Sequence, residues 1–373
     1  MRIGIEAQRL FRKEKHGMDV VILELIKELQ LIDKSNEYFI YIKDDLDRCI
    51  NETTNFKIRL LPRHNYAYWE QVVLPRAAMG DRVNILHCTS NTGPVFYKGK
   101  IILTLHDIIY LEKITFSRSA YQNFGNLYRR FIVPRVVKIS THIITVSNFE
   151  KGNITNYFKT IKAPVTVVYN GVSDLFRKKQ STKSLDKINL KDFPDDYILF
   201  LGNTAHKKNT IGLLKAYQIL LSEIENAPTL VITDVSRSYI KQLLEKLGAR
   251  ELESKIYICG YIPYSDMILL YGNSRLFVYP SLRESFGMPI LEAMASGTPV
   301  ITSNVTSMPE IAGESATLVD PHNPFEIADG IRIMLENKDN IVKDKVELGY
   351  KHSLKFSWKE SARKLLSIYE MYR

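Results

Sequence analysis

Short apolar runs alternate with segments of helical periodicity along both halves of the chain. In the first half, these runs predict strands at 3–5, 38–42, 58–61, 85–87, 101–105, 143–146 and 165–169. In the second half, they predict strands at 197–201, 230–233, 256–258, 276–279 and 300–302, with helices such as 211–225 between them. Strands that alternate with helices form parallel sheets. The pattern therefore predicts an α/β protein with two doubly wound, Rossmann-like domains.

A polar stretch rich in Lys, Asp and Ser separates the two halves of this pattern. A chain of 373 residues is long for one hydrophobic core and suits two domains of ordinary size. We expect a first domain at 1–172, a linker at 173–196, a second domain at 197–357 and a last helix at 358–373.

The most informative segment follows the strand 276–279. A polar loop leads to a helix that opens at Pro289 and ends at Gly297, which are the usual positions of these residue types. Backbone amides at the start of a helix, together with the positive end of its dipole, bind anions. We therefore expect a phosphate site, and its candidate residues are Ser285, Phe286, Gly287 and Met288.

Two carboxylates flank this expected phosphate site. Glu292 is predicted in the first helical turn, where it could accept hydrogen bonds from paired hydroxyls such as those of a ribose. Glu284 lies in the preceding loop, nearer to whatever the phosphate carries. The alternative is that Glu292 only complements the helix dipole and that Glu284 is an ordinary solvated residue.

A lysine follows the first strand of the second domain. Lys208 comes six residues after Gly202, in a turn before a helix, and its ammonium could neutralise a diphosphate. The alternative is a solvated lysine beside Lys207.

In the first domain, His106 ends an apolar strand and precedes Asp107. A histidine at a strand end is often only structural. Gly17, between the first strand and its helix, would allow the backbone to approach a sugar or an acceptor, whereas Asp19 is either an acceptor contact or a helix N-cap.

These residues resemble those of the retaining, nucleotide-sugar-dependent glycosyltransferases of family 4, which have the GT-B fold. The segment Glu284 to Glu292 is similar to their Glu-x7-Glu signature, and the segment after it resembles bacterial O-antigen mannosyltransferases. The matching residues cover nearly the whole chain: Gly17, His106-Asp107, Val146-Ser147, Asn170-Gly171-Val172, Gly202, Lys208-Asn209, Ser303-Asn304, Met308-Pro309-Glu310 and Gly313-Glu314.

The resemblance implies an interdomain cleft, with the acceptor on the first domain, the donor on the second, and the last helix crossing back to the first domain. It implies catalytic roles at the donor sugar for Glu284 and His106, ribose binding by Glu292 and phosphate binding by Lys208. A donor phosphate oxygen would take the acceptor proton. Many relatives have Arg after the glycine at 202, whereas this chain has Asn203, so phosphate binding would depend on Lys208. Tyr261 and Tyr264 are placed near the nucleotide base, and either could stack on it.

We therefore expect a hexosyltransferase that uses a nucleoside diphosphate sugar, with mannose favoured, and a lipid-linked or surface polysaccharide acceptor. A GT-B epimerase or phosphorylase is the alternative, and a bilobed solute-binding protein is a more distant one. The Asp44 to Asp47 segment contains Asp-x-Asp, a metal-binding pattern of another glycosyltransferase fold, but a solvated acidic turn explains it. We expect no metal and no cofactor.

Three scattered cysteines do not form a disulfide framework, and neither a signal peptide nor a membrane-spanning run is evident. We expect a cytoplasmic protein that does not bind nucleic acid. The net charge of +10 is uneven: up to Val172 there are 25 Lys and Arg against 16 Asp and Glu. Basic residues alternate with apolar ones between Tyr121 and Lys138, at Arg129, Arg130 and Arg135 among others. This helix either docks on anionic lipid or is a core helix with a solvated face.

Overall fold

The computed structural model describes residues 1–13, 15, 17–112, 120–177, 190–336 and 341–373. It divides the chain into two compact units, Met1–Gly171 with Trp358–Arg373, and Val172–Ser357. Of the linker expected at 173–196, residues 178–189 lie outside the described residues.

The first unit is built on a parallel sheet that, among the described residues, has the strand order β3-β2-β1-β4-β5-β6-β7. Its strands are β1 (Arg2–Glu6), β2 (Glu37–Lys43), β3 (Phe56–Leu61), β4 (Ile85–Cys88), β5 (Lys100–Thr104), β6 (His142–Thr145) and β7 (Val165–Val167). The helices between these strands are α1 (Gly17–Ile32), α2 (Tyr66–Tyr68), α3 (Leu74–Gly80), α4 (Ile109–Glu112), α5 (Ala120–Ile139) and α6 (Asn148–Tyr157). Nearly every residue of the central strands is buried, which is why most of these residues are apolar.

The second unit has its own parallel sheet, and in the described part of the chain its strand order is β10-β9-β8-β11-β12-β13. The strands are β8 (Tyr197–Leu201), β9 (Thr229–Thr233), β10 (Ile256–Gly260), β11 (Leu276–Tyr279), β12 (Val300–Ser303) and β13 (Thr317–Val319). The helices are α7 (Thr210–Glu223), α8 (Arg237–Leu247), α9 (Met267–Asn273), α10 (Met288–Ala295), α11 (Met308–Ala312), α12 (Pro324–Glu336) and α13 (Ile341–Ser353).

The last helix, α14 (Trp358–Glu370), returns to the first unit and packs on α1. Two buried histidines hold its end: the Nδ1 of His87 lies 2.6 Å from the hydroxyl of Tyr369, and that of His142 lies 2.9 Å from the hydroxyl of Tyr372. The GT-B fold class, including the returning helix, is confirmed.

Strand order reverses between β8 and β11, because β9 and β10 lie on one side of this pair and β12 and β13 on the other. In open parallel sheets, ligands bind beyond the carboxyl ends of the strands at such a reversal. Two loops of the second unit start there, the loop after β8 and the loop after β11.

The strands predicted from the sequence are present, with ends that differ by at most two residues. The edge strand β13 was missed, because Thr317, Leu318 and Val319 form a run too short to be recognised and Leu318 is exposed.

Candidate active site

The loops after β8 and β11 are joined by their backbones. The Leu282 amide donates to the Lys207 carbonyl at 2.7 Å, and the side-chain amide of Asn209 donates to the Pro280 carbonyl at 3.0 Å. Asn209 has a left-handed backbone, with φ of 60°, and it ends the short 3-10 turn that carries Lys208. The site residues of the two loops are therefore held in one place although they lie far apart in the sequence.

Lys208, Tyr279 and Glu284 form a single hydrogen-bonded cluster. The Nζ of Lys208 lies 2.8 Å from Oε1 of Glu284, and it also donates to the hydroxyl of Tyr279. That hydroxyl donates to the same Oε1 at 2.9 Å. Burial favours the neutral form of Glu284, but the ammonium charges of Lys208 and Lys207, together with the hydrogen bonds from Lys208 and Tyr279, hold the pKa of Glu284 below its usual value. Glu284 is thus a buried carboxylate that stays ionised.

The backbone around Glu284 is held by the turn before α11. The Ser307 hydroxyl donates to the carbonyls of Glu284 and Phe286, at 3.0 Å each, and the Glu284 amide lies 3.3 Å from the hydroxyl oxygen of Thr306. Thr306 itself has φ of 61°, in the left-handed region that favours glycine. These contacts fix the loop that ends at Gly287.

The start of α10 has the form that the sequence predicts for an anion site. Gly287 has φ of 101°, which side-chain-bearing residues rarely adopt, and its carbonyl accepts from the Ile290 amide at 3.0 Å. Phe286 is buried, whereas Ser285 and Met288 are half-buried. The first amides of a helix have no acceptor within it and bear its positive dipole. This end of α10 is therefore suited to an anion.

Glu292 is the fifth residue of α10. The expectation that it lies in the first turn was wrong, because the helix starts at Met288, one residue earlier than predicted. Its Oε1 accepts from the Tyr264 hydroxyl at 3.0 Å, and its Oε2 accepts from the Tyr271 hydroxyl at 3.2 Å. Burial raises the pKa of Glu292 to about 7, although both hydrogen bonds act in the opposite direction. The two carboxylates of the signature therefore differ in charge state near neutral pH.

Gly202 and Asn203 have structural partners of their own. A Cβ on Gly202 would lie 2.8 Å from the Thr233 carbonyl oxygen, so no other residue fits this close approach to β9. The Asn203 side chain accepts from the Ala205 amide at 2.9 Å and shapes the turn that precedes Lys208. Donor contact by either residue stays a prediction.

Tyr261, one of the two candidates for base contact, is 58% exposed beyond β10. Three other tyrosines donate hydrogen bonds to the two signature carboxylates. The hydroxyls of Tyr264 and Tyr271 donate to Glu292, and that of Tyr279 donates to Glu284. Tyr271 was missed, and Tyr279 was interpreted only as the end of a strand. The one sequence signal of Tyr271 and Tyr279 is that each is a tyrosine in an apolar run where an aliphatic residue could also pack.

In the first unit, His106 follows β5 and is buried. Its Nε2 lies 3.0 Å from the Thr89 carbonyl oxygen, which can only accept, so Nε2 carries the proton and Nδ1 is the acceptor of the neutral ring. Burial lowers the pKa of His106, although the negative charges of Asp107 and Asp19 act to raise it. Asp19 is buried in the first turn of α1, and Gly17 is the first residue of that helix. Asp19 is therefore not an N-cap, and Gly17 is not in the loop where it was expected.

The acidic turn at 44–47 is paired with cations. Asp44 pairs with Arg48, and Asp47 pairs with Lys15.

The basic residues predicted on α5 do not all lie on one exposed face. Arg135 and Lys138 are exposed, whereas Arg129 and Arg130 are half-buried. Arg130 reaches the Leu111 carbonyl at 3.3 Å. The exposed face of α5 also carries Leu127, which is 66% exposed, and Phe131, which is 57% exposed.

Residues 15–174 match Glycosyltransferase Family 4, and residues 181–352 match the glycosyl transferases group 1 family. An uncharacterized glycosyltransferase of Methanocaldococcus jannaschii is 30% identical over 345 residues, which are 86% of this chain and 85% of that protein. The O-antigen chain mannosyltransferase B of Escherichia coli is 31% identical over 233 residues, 61% of this chain, and the match spans 60% of that relative.

Among solved structures, the crystal structure of HepE from Anabaena in complex with UDP has a TM-score of 0.74 with this chain. The match is 15% identical in sequence and covers 100% of both chains, so it shows a shared fold. The fold and the matched families define an enzyme of the GT-B class. The chain belongs to glycosyltransferase family 4. The alternatives of an epimerase, a phosphorylase and a solute-binding protein are therefore set aside.

No helix among the described residues is both long and apolar enough to cross a bilayer.

Proposed function

We propose that this enzyme transfers a hexose, with mannose favoured, from a nucleoside diphosphate sugar to a hydroxyl of a lipid-linked or surface polysaccharide, with retention of the anomeric configuration. The observation that carries this proposal is the grouping of Lys208, Glu284 and Glu292 around the start of α10. A cation, an anion-binding helix end and two carboxylates of different pKa are what a sugar nucleotide requires.

Each part of the donor has a partner in this arrangement. Glu292 accepts from the ribose hydroxyls, because a carboxylate has lone pairs beyond the two that its tyrosines use. The first amides of α10 and the ammonium of Lys208 bind the diphosphate. Glu284, ionised and buried beside them, accepts from hydroxyls of the transferred sugar.

The chemistry depends on stabilising the leaving group. As the acceptor oxygen bonds to the anomeric carbon, the bond from that carbon to the phosphate oxygen breaks and a nucleoside diphosphate leaves. A phosphate oxygen of the donor takes the acceptor proton on the same face, which retains configuration. Positive charge at Lys208 and α10 stabilises the developing diphosphate, so we propose that neither metal nor cofactor is required.

The first unit supplies the remaining proposed contacts. His106 has a neutral ring with Nδ1 as acceptor, which suits a sugar hydroxyl. The buried carboxylate of Asp19 acts on this ring, and we assign both residues, with the nearby backbone at Gly17, to sugar recognition.

The identity of the base rests on the relatives. The Escherichia coli relative is named a mannosyltransferase, which favours GDP-mannose, whereas HepE was crystallised with UDP. Because a ligand of the folded state raises the melting temperature, UDP, GDP, ADP and dTDP can be ranked by thermal shift at equal concentration.

Two variants test the assignment of the carboxylates. Glu292→Ala should weaken binding of the preferred nucleotide, whereas Glu284→Ala should bind it nearly as the parent does and lose sugar transfer. Absence of stabilisation by any nucleotide, or normal nucleotide binding and turnover by Glu292→Ala, would contradict the assignment.

We also propose that the enzyme works at the inner face of the cytoplasmic membrane. Support comes from the exposed face of α5, where Leu127 and Phe131 lie beside Arg135 and Lys138. Apolar and cationic side chains on one helix face suit an anionic lipid surface.

A further inference from the structure

Tyr279 lies at the centre of the candidate active site, yet its position is fixed by the sheet. It is the last residue of β11 and pairs with Thr302 of β12, whose hydroxyl donates to the Tyr279 carbonyl at 2.9 Å. Its ring stacks on Phe277, with centroids 5.6 Å apart, and only 1% of the residue is exposed. The phenol hydroxyl is thus presented at the sheet edge by a rigid element.

That hydroxyl bridges the two charged residues of the cluster. A phenol has one proton to donate and lone pairs to accept, so it donates to Oε1 of Glu284 at 2.9 Å while it accepts from Nζ of Lys208. Burial and the Glu284 carboxylate raise the pKa of Tyr279, which keeps the proton on the hydroxyl. Lys208 and Glu284 come from loops, whereas Tyr279 comes from a strand.

We propose that Tyr279 is a positioning residue for sugar transfer, because its hydroxyl fixes the Glu284 carboxylate in the geometry that the donor sugar requires. The inference rests on the proposed function and assigns no contact between Tyr279 and the substrate. A carboxylate that must meet sugar hydroxyls works only within narrow limits of distance and angle. Without the hydroxyl, Glu284 keeps its charge partner but gains rotational freedom.

The test is Tyr279→Phe, which removes the hydroxyl and keeps the ring and its packing. We expect the kcat for release of nucleoside diphosphate from the preferred sugar nucleotide, measured with a glycan acceptor, to fall by about tenfold to a hundredfold, the usual effect of losing a hydrogen bond to a charged group. The KM for the donor should change by less than about threefold, because the diphosphate contacts of Lys208 and α10 remain.

The matched control is Tyr197→Phe. Tyr197 is the first residue of β8 in the same sheet, is fully buried, and donates to the Leu270 carbonyl at 2.7 Å. Loss of the Tyr197 hydroxyl should lower the melting temperature as Tyr279→Phe does, while kcat and KM stay at parental values. This control separates loss of a buried hydroxyl from loss of a positioned carboxylate.

A double-mutant comparison shows whether Tyr279 acts through Glu284. If it does, Tyr279→Phe should slow the parent but have no further effect on Glu284→Gln. An additive effect in the double variant, or a parental kcat in Tyr279→Phe, overturns the inference while the proposed function stands. If the parent itself releases no nucleoside diphosphate from any sugar nucleotide, the proposed function fails and the inference fails with it.

Discussion

The ammonium of Lys208 lies 2.8 Å from the carboxylate of Glu284, and the two side chains are only 20% and 10% exposed. The cation assigned to the phosphates and the carboxylate assigned to the sugar are therefore one buried ion pair. Such a pair offsets the cost of burying both charges, and removing one partner leaves the other unpaired. The stability of the second unit and the chemistry of the site consequently depend on the same contact.

Lys208→Met should destabilise the protein by about 3 kcal/mol at pH 7.5, since it leaves Glu284 buried and unpaired. The double variant Lys208→Met/Glu284→Gln should recover much of this loss, because the uncompensated charge is gone. Midpoints of urea unfolding measure both effects. Lys351→Met is the matched control: its pair with Glu347 is 66% and 65% exposed and should contribute little.

The sign of the pH dependence follows from the lowered pKa of Glu284. A carboxyl with a depressed folded-state pKa adds stability above its unfolded value of about 4.5, and that stability is lost as the pH falls through the folded value. Lys208→Met should therefore be closer to the parent at pH 3.5, below that unfolded value, than at pH 7.5. Equal destabilisation at both pH values would show that the pair carries no net electrostatic stabilisation.

Glu292 should have the opposite effect. Its folded pKa of about 7 lies above the unfolded value, so the fold favours the protonated form and loses stability as the pH rises from about 4.5 to 7. Glu292→Gln should relieve this cost, and its unfolding midpoint should exceed that of the parent at pH 8 while the two converge near pH 4.5. A variant less stable than the parent at pH 8 would contradict the raised pKa.

The same residue should make nucleotide binding depend on pH. Ribose hydroxyls donate to the ionised carboxylate, whose fraction rises steeply between pH 6 and 8 for a pKa of about 7. The Kd of the preferred nucleoside diphosphate, measured by calorimetry, should fall by up to about tenfold over this range. Glu292→Gln serves as the control, because the diphosphate titrates identically in both proteins. If the Kd of Glu292→Gln changes with pH as the Kd of the parent does, Glu292 does not bind the ribose.

Much of the fold could be predicted from the sequence because burial determines the pattern. Residues 276–279 are apolar because both faces of β11 are covered, and β8 follows the same rule. Turn chemistry is local as well: Gly287 and Gly297 have the positive φ that their places at the ends of α10 require. The strand β13 escaped detection because only Val319 of its three residues is fully buried.

The hydrogen bonds of the candidate site could not be predicted in the same way. Nothing local shows that the hydroxyls of Tyr264 and Tyr271 both donate to Glu292. Tyr271 lies in an apolar run and resembles any other aromatic core residue, and Tyr264 lies in a loop between Pro263 and Ser265. The pKa difference between the two signature carboxylates is equally non-local. It arises because Lys208, 76 positions from Glu284, is close to Glu284, whereas the partners of Glu292 among the described residues are tyrosine hydroxyls.

Sugar transfer should proceed without a divalent metal. Lys208 and the amides of α10 supply the positive charge that a metal would otherwise bring to the leaving diphosphate. Turnover in excess chelator should stay near the full rate, and Lys208→Met should lose most of it under the same conditions. If magnesium or manganese restores turnover of the chelated parent, the leaving-group assignment to Lys208 and α10 is wrong.

Binding to anionic membranes should depend on the exposed face of α5. Arg135 and Lys138 are exposed there, and each cation near an anionic surface contributes about 1 kcal/mol. Arg135→Gln/Lys138→Gln should therefore reduce co-sedimentation with phosphatidylglycerol-containing vesicles at low salt by at least tenfold in affinity, and high salt should weaken the parent as well. Lys241→Gln/Lys246→Gln on α8 of the second unit removes the same charge from another exposed surface and should bind as the parent does. Equal losses of vesicle affinity in the two double variants would show that binding depends on net charge and not on α5. If the parent does not bind the vesicles at low salt, the proposed membrane location is wrong.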